Sequence, residues 1–146
     1  MFKLDQLLYN AIIADADLMT VIDGRVESTC FEVSPEGTDN TPLPYIVIRD
    51  EGKQPAHETK DDDWMPSRWQ MGAAIEVGAK DPKAVDDIVM MAMRAVNNYV
   101  CNLYNQGDYI PNLLEGFPKT DGVNWDWIKP CYWDLVHYAC DVQNDL

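Results

Sequence analysis

The chain switches from a strand period to a helix period midway along its sequence, and this switch constrains the fold more than any other feature. From 68 to 79, apolar residues alternate with small or polar ones, which predicts a β-strand with one buried face and one solvent-exposed face. From 81 to 104, apolar residues follow helical spacing, with Asp81 as the expected N-cap and Pro82 as the first helical residue. The two periods indicate a protein that combines a sheet with at least one long helix.

The remaining periodic segments complete an α+β pattern. An apolar stripe predicts a first helix over 2–14, and turn residues end a second short helix over 15–22. Segments rich in β-branched and aromatic residues predict strands over 45–50 and 131–142. Arg25 and Val26 begin a further extended stretch, and apolar residues on both faces of the closing strand place it inside a sheet. We therefore expect an α+β two-layer sandwich, with a mostly antiparallel sheet and an N-terminal helix and one long helix packed on one face.

The length of 146 residues suits one domain, and we expect residues 1–146 to form it. Turn-forming and charged residues predict two long loops, at about 51–67 and 107–130. Short strands or turns are compatible with the second loop, which carries several glycines and prolines.

Charge and composition exclude several classes of function. The chain has 11 Lys and Arg against 25 Asp and Glu, a formal net charge of −14, and this balance argues against tight binding of nucleic acid. No run of 18 apolar residues is present, so we expect no membrane span, and the acidic start predicts no secretory leader. The four cysteines are far apart in sequence, which predicts free, partly buried thiols; they are Cys30, Cys101, Cys131 and Cys140.

Residues that could carry catalysis are few. The segment from His57 to Asp63 contains Glu58 and three aspartates, which leaves a metal-dependent hydrolase as an alternative, although a solvated acidic loop accounts for the same residues. His137 lies in the closing strand and is expected to be a hydrogen-bonded structural residue. No nucleophile elbow, phosphate-binding loop or dinucleotide motif is present. We therefore predict no enzyme activity, no cofactor and no metal site.

Exposed aromatic and methionine side chains are the better candidates for function. Tryptophans in loops often mark contact surfaces, and methionines outside the narrow stripe of the long helix widen its apolar arc. The predicted interface residues are Trp64, Met90, Met91, Met93, Trp125 and Trp127. Trp69 and Trp133 are expected in the core. A soluble binding module that stacks a sugar on Trp125 and Trp127 is an alternative use of the same side chains.

Two sequence motifs carry a resemblance to a known family. The opening LLYNAIIADADLMTVIDGRV and the later PLPYIVIR, separated by a proline-rich loop, resemble the tail-completion (tail-terminator-like) proteins of tailed bacteriophages and prophages. The similarity covers residues 4–49 by motif and 68–104 by pattern. The segments 51–67 and 107–130 are longer than a compact member of that family needs.

The resemblance implies a structural role without catalytic residues. Such subunits assemble into a ring, often a hexamer, at the head-proximal end of a tail, and dock to tail-tube or head-connector proteins. It implies a location in the virion or in the cytoplasm of the bacterial host. A head–tail connector (neck) subunit is the alternative within the same class. A strongly acidic ring would also repel DNA and let it slide through the channel.

Overall fold

The computed structural model describes residues 2–28, 42–56 and 68–143. Two helices, three strands, a third helix and three further strands follow one another along these residues, and the bounds of the predicted elements agree closely with the sequence prediction except in β2. The elements are α1 (Leu4–Ala14), α2 (Ala16–Val21), β1 (Val26–Ser28), β2 (Tyr45–Pro55), β3 (Arg68–Ala79), α3 (Pro82–Asn105), β4 (Lys119–Thr120), β5 (Asn124–Asp126) and β6 (Cys131–Gln143). No helix within the described ranges is long and apolar enough to cross a membrane.

Side-chain caps fix where α2 and α3 begin. Asp81 Oδ1 accepts a hydrogen bond from the backbone N–H of Ala84 at 2.8 Å, as predicted for the start of α3. Asp15 Oδ1 accepts from the N–H of Leu18 at 3.0 Å and starts α2 directly after α1. These short-range contacts explain why the helix boundaries could be predicted from local sequence.

The described strands form one mixed sheet of six strands. Its order is β1-β2-β3-β6-β4, and β5 pairs with the start of β6 beside this path. Strands β1 and β2 run parallel, and the other pairs are antiparallel. Strand β6 is therefore an interior strand, as its two apolar faces predict.

The main core lies between one face of this sheet and the helices. Helix α1 packs on α3 and on β1, β2 and β3, while α3 packs on β3 and β6. The predicted stripe of α3 supplies six of the buried side chains: Val85, Ile88, Val89, Ala92, Ala95 and Val96. The α+β two-layer sandwich, with its helices on one face of a mostly antiparallel sheet, is confirmed.

The loop predicted at 51–67 begins too early. Strand β2 was expected to end at Asp50, but it continues to Pro55 across a bulge between Asp50 and Lys53 and pairs with the first residues of β3. Polar residues form strand here because the neighbouring strand accepts their backbone hydrogen bonds, which outweighs their weak β propensity. Residues 57–67 lie outside the described part of the chain, and the region 107–130 contains the short strands β4 and β5.

The second face of β3 was predicted to be wet, and this is wrong for its C-terminal half. Ala74, Glu76 and Gly78 are buried, because Tyr45 and its neighbours cover this part of the sheet. The missing side chain of Gly78 provides the space: a Cβ there would lie 2.1 Å from Tyr45 Cε1. The small residues of this face thus leave room for a side chain from the neighbouring strand. We call the side of the sheet that carries Ala74, Glu76 and Gly78 the open face, because no described helix covers it.

Candidate functional site

An exposed aromatic cluster lies at one end of the sheet, where β5 pairs with the start of β6. We call it the aromatic corner, and it consists of Trp125, Trp127, Ile128 and Tyr132. The ring centroids of Trp125 and Tyr132 are 4.8 Å apart, and those of Trp125 and Trp127 are 5.6 Å apart in an edge-to-face arrangement. Trp127 is 85% exposed, and Ile128 is 66% exposed.

A tight turn presents these side chains. Asp126 Oδ1 accepts hydrogen bonds from the backbone N–H groups of Ile128, at 2.8 Å, and of Lys129, at 3.2 Å. An aspartate that bonds its own backbone in this way fixes a turn, so Trp127 is held outward by the local sequence. The prediction that Trp125 and Trp127 lie near the surface agrees with this geometry, whereas Trp64 lies outside the described residues. Trp69 and Trp133 were expected in the core, but both are only half-buried and neither belongs to the hydrophobic clusters of the described residues.

A groove of about 570 Å³ lies where the start of α1 meets the C-terminal half of α3. We call it the apolar groove. Its walls come from α1, from the C-terminal half of α3 and from the segment 110–118, and Tyr138 and Cys140 of β6 contribute to its lining. Pockets of this size and character are typical of binding sites for apolar groups.

The three predicted methionines do not form one patch. Met90 is exposed, whereas Met91 and Met93 are half-buried and pack against the main core. Met93 also lines the apolar groove. Residues one and two positions apart point in different directions on a helix, which separates Met91 from Met90 and Met93.

A buried ionic cluster occupies the open face, and the sequence prediction missed it. Glu76 Oε2 accepts hydrogen bonds from the hydroxyl of Tyr45 at 2.6 Å and from Lys129 Nζ at 3.2 Å. Arg49 Nε donates to Glu76 Oε1 at 2.8 Å, and a second guanidinium nitrogen of Arg49 also contacts this oxygen. The side chains of Glu76 and Lys129 are 4% and 8% exposed.

The cluster shifts the pKa values of its members. Burial alone would raise the pKa of Glu76, but the hydrogen bond from Tyr45 and the charges of Lys129 and Arg49 outweigh it and hold this pKa below its usual value. Burial and the neighbouring carboxylate of Glu76 raise the pKa of Tyr45 far above its ordinary range. The cluster therefore holds an ionised glutamate and a neutral tyrosine at neutral pH.

His137 joins three segments across the open face. Its Nδ1 lies 2.9 Å from Glu51 Oε1, and its Nε2 lies 3.0 Å from Asp121 Oδ2. Glu51 reaches His137 across β3, where Gly72 leaves room: a Cβ on Gly72 would lie 3.4 Å from Cβ of Glu51. Carboxylates only accept hydrogen bonds, so both ring nitrogens donate only when the imidazole is doubly protonated.

The surroundings of His137 favour that charged form. Burial opposes the charge, but the hydrogen bonds and charges of Asp121 and Glu51 outweigh it and raise the pKa of His137 above its usual value. An imidazolium held between two carboxylates has no free nitrogen to accept a proton. The hydrogen-bonded structural role predicted for this residue agrees with its contacts.

Two cysteines of the described residues, Cys131 and Cys140, are buried, and Cys101 is exposed. Burial raises the pKa of Cys131 and raises that of Cys140 to about 11, so both are protonated at neutral pH. Cys101, which was expected to be partly buried, is exposed. Within the residues that the structure describes, no group of three His, Cys, Asp or Glu side chains is placed to hold a metal ion. The acidic segment from His57 to Asp63 lies outside them.

No protein-family model matches the chain, and no curated protein matches it. Among solved structures, the chain is similar to that of the gp17 protein of bacteriophage SPP1, with 18% sequence identity and a TM-score of 0.40. The match covers 99% of this chain and 96% of the phage protein.

Proposed function

We propose that this chain is a non-enzymatic structural subunit of a tailed-phage or prophage virion, of the tail-completion type. In this proposal it self-assembles into a ring at the head-proximal end of the tail and docks to tail-tube or head-connector proteins. It resides in the virion or, before assembly, in the cytoplasm of the bacterial host.

The observation that carries the proposal is that the two motifs of the family resemblance form one structural unit. Arg25, from the end of the first motif, donates hydrogen bonds to the carbonyls of Leu43 and Pro44, from the start of the second, at 2.8 Å each. The backbone N–H of Ile46 in turn donates to the carbonyl of Arg25 at 2.9 Å. Hydrogen bonds between residues 18 to 21 positions apart thus join the two motifs.

The contacts of the polar residues support a structural role. The ionised groups of the open face bond to one another and tie strands together, and Trp125 and Trp127 of the aromatic corner remain exposed. Exposed aromatic side chains that are held by a rigid turn are typical of contact surfaces. A net charge of −14 also suits a subunit around a DNA channel, because like charge opposes adhesion of DNA.

A genetic and microscopic experiment tests this function. We expect disruption of the gene in its phage or prophage to yield unjoined heads and tails, or tails with abnormal ends, in negative-stain electron micrographs. Expression of the intact chain from a plasmid should restore joined particles, and mass spectrometry should detect the chain in purified virions. Normal, infectious particles that lack the chain would refute the proposal.

A further inference from the structure

We propose that Trp127 and Ile128 of one copy insert into the apolar groove of the next copy and so form a head-to-tail contact between subunits. This inference rests on the proposed function, because it names the surfaces through which the subunits would assemble. The partner is a second copy of this chain, and the contact is apolar.

The two surfaces are too far apart to meet within one chain. Tyr132, at the aromatic corner, and the pair Tyr138 and Cys140, in the groove, lie six to eight residues apart on β6. At about 3.3 Å per residue this separation is roughly 20–26 Å. The corner of one molecule therefore reaches only the groove of another.

Charge limits where two copies can touch. Each copy carries a net charge of −14, so their acidic surfaces repel at close range. None of the described residues that line the groove is charged. The carboxylate next to the corner, Asp126, is hydrogen-bonded to its own turn. The corner and the groove are thus a pair of surfaces that two such acidic molecules can join without opposing like charges.

Size and polarity also match. A tryptophan side chain buries about 150–250 Å² when it is enclosed, and a groove of about 570 Å³ has room for it together with an isoleucine. The polar groups of the lining include the side-chain amides of Asn97 and Asn105, and an amide oxygen can accept a hydrogen bond from the indole N–H of Trp127.

The arrangement predicts a head-to-tail chain of subunits. A contact between two different patches leaves one free corner and one free groove at each step, so it continues until a ring closes or a filament grows. A two-fold contact between identical patches would stop at a dimer. The two possibilities differ in the products that a cross-linking experiment gives.

Disulfide trapping tests the contact directly. Cys101 lines the groove and is exposed, so Ile128→Cys provides a thiol that we expect to pair with Cys101 of the next copy. Both the test protein and its control carry Cys30→Ser. Mild oxidation should give a ladder of dimers, trimers and larger species on a non-reducing gel. The control Ile13→Cys places a thiol at another exposed position, on α1 and away from the groove lining, and should give no ladder.

Sedimentation velocity over a range of concentrations provides the second measurement. Trp127→Ala should weaken self-association roughly thirtyfold or more, the loss expected for a central aromatic anchor, while Ile13→Ala should leave it unchanged. Circular dichroism should show both variants folded, because both side chains are exposed.

The outcomes separate this contact from the proposed function. A ladder that stops at dimers, oligomers that survive Trp127→Ala unchanged, or a protein that stays monomeric and gives no ladder would each overturn the contact. The phenotype of the gene disruption decides the structural role independently. Unjoined particles together with a failed cross-link would leave the proposed function standing and the contact refuted.

Discussion

Replacement of Glu76 by glutamine is expected to destabilise the protein by roughly 3 kcal/mol. The substitution keeps the shape of the side chain and removes its charge. Arg49 is 47% exposed, so its charge can be hydrated when the carboxylate is lost. Lys129 is only 8% exposed, and its buried ammonium would lose the oxygen that lies 3.2 Å away.

The magnitude follows from this asymmetry. Loss of one partner from a buried ion pair costs about 3–5 kcal/mol, mainly because the other charge stays buried. We take the lower end because the hydroxyl of Tyr45 remains 3.4 Å from Lys129 Nζ and because glutamine can still accept a hydrogen bond. For a chain of 146 residues, such a loss lowers the melting temperature by about 10 °C.

Urea and thermal unfolding measure the change, and two further variants sharpen it. Glu76→Gln combined with Lys129→Met should recover most of the lost stability, because the second substitution removes the buried charge that has lost its carboxylate partner. Asp87→Asn breaks the solvent-exposed pair with Lys83 and should leave the unfolding midpoint unchanged. A cost below roughly 1 kcal/mol for Glu76→Gln, or no recovery in the double variant, would refute the reasoning.

The pH dependence gives an independent check of the same charge. Because the pKa of Glu76 is lowered in the folded state, its contribution is complete above the pKa of the unfolded chain and is lost as the pH falls through the folded value. The difference in stability between the native protein and Glu76→Gln should therefore shrink in acid. A difference that stays constant down to the acid transition would contradict an ionised Glu76.

Because the pKa of His137 is raised in the folded state, its contribution to the stability of the fold should be complete below about pH 6.5 and lost as the pH rises through the folded value. His137→Gln should remove this pH dependence in urea titrations from pH 6 to 9, and an unchanged profile would contradict the raised pKa. Gly78→Ala should destabilise the fold by about 1–3 kcal/mol, because its Cβ would collide with the ring of Tyr45. Gly72→Ala should cost far less, because its Cβ would lie 3.4 Å from Cβ of Glu51, and equal losses of stability in thermal melts would count against the collision. Asp81→Ala should cost about 1 kcal/mol through loss of the α3 cap, and unaltered unfolding would show that the cap contributes nothing.

The parts of the fold that depend on neighbouring residues could be predicted from the sequence. Asp81, Pro82 and the apolar stripe that follows them place α3 almost to the residue, because capping and helical periodicity act within a few positions. The alternation in β3 likewise identifies a strand and the face that packs on the helices.

The open face could not be predicted in the same way, because its contacts join residues far apart in sequence. Glu76 looked like an exposed residue of an alternating strand, and only its contact with Lys129, 53 residues later, shows why a carboxylate is buried there. The extension of β2 has a similar cause: its polar residues become a strand because β3 pairs with them. Alternation identifies the two faces of a strand, but a single sequence does not tell which distant side chains cover the polar one.

The ionic cluster and the aromatic corner are mechanically connected. Lys129 ends the turn that carries Trp127 and Ile128, and its side chain is bound to Glu76 on the open face. Asp126 holds the backbone of the turn from the other side. The turn is thus fixed at both ends before any partner arrives, and a contact side chain that is already ordered loses less conformational entropy on association. A buried ion pair is weak evidence for stability alone, but here it anchors the segment that presents the most exposed tryptophan of the described residues, which gives the cluster a role in the proposed assembly.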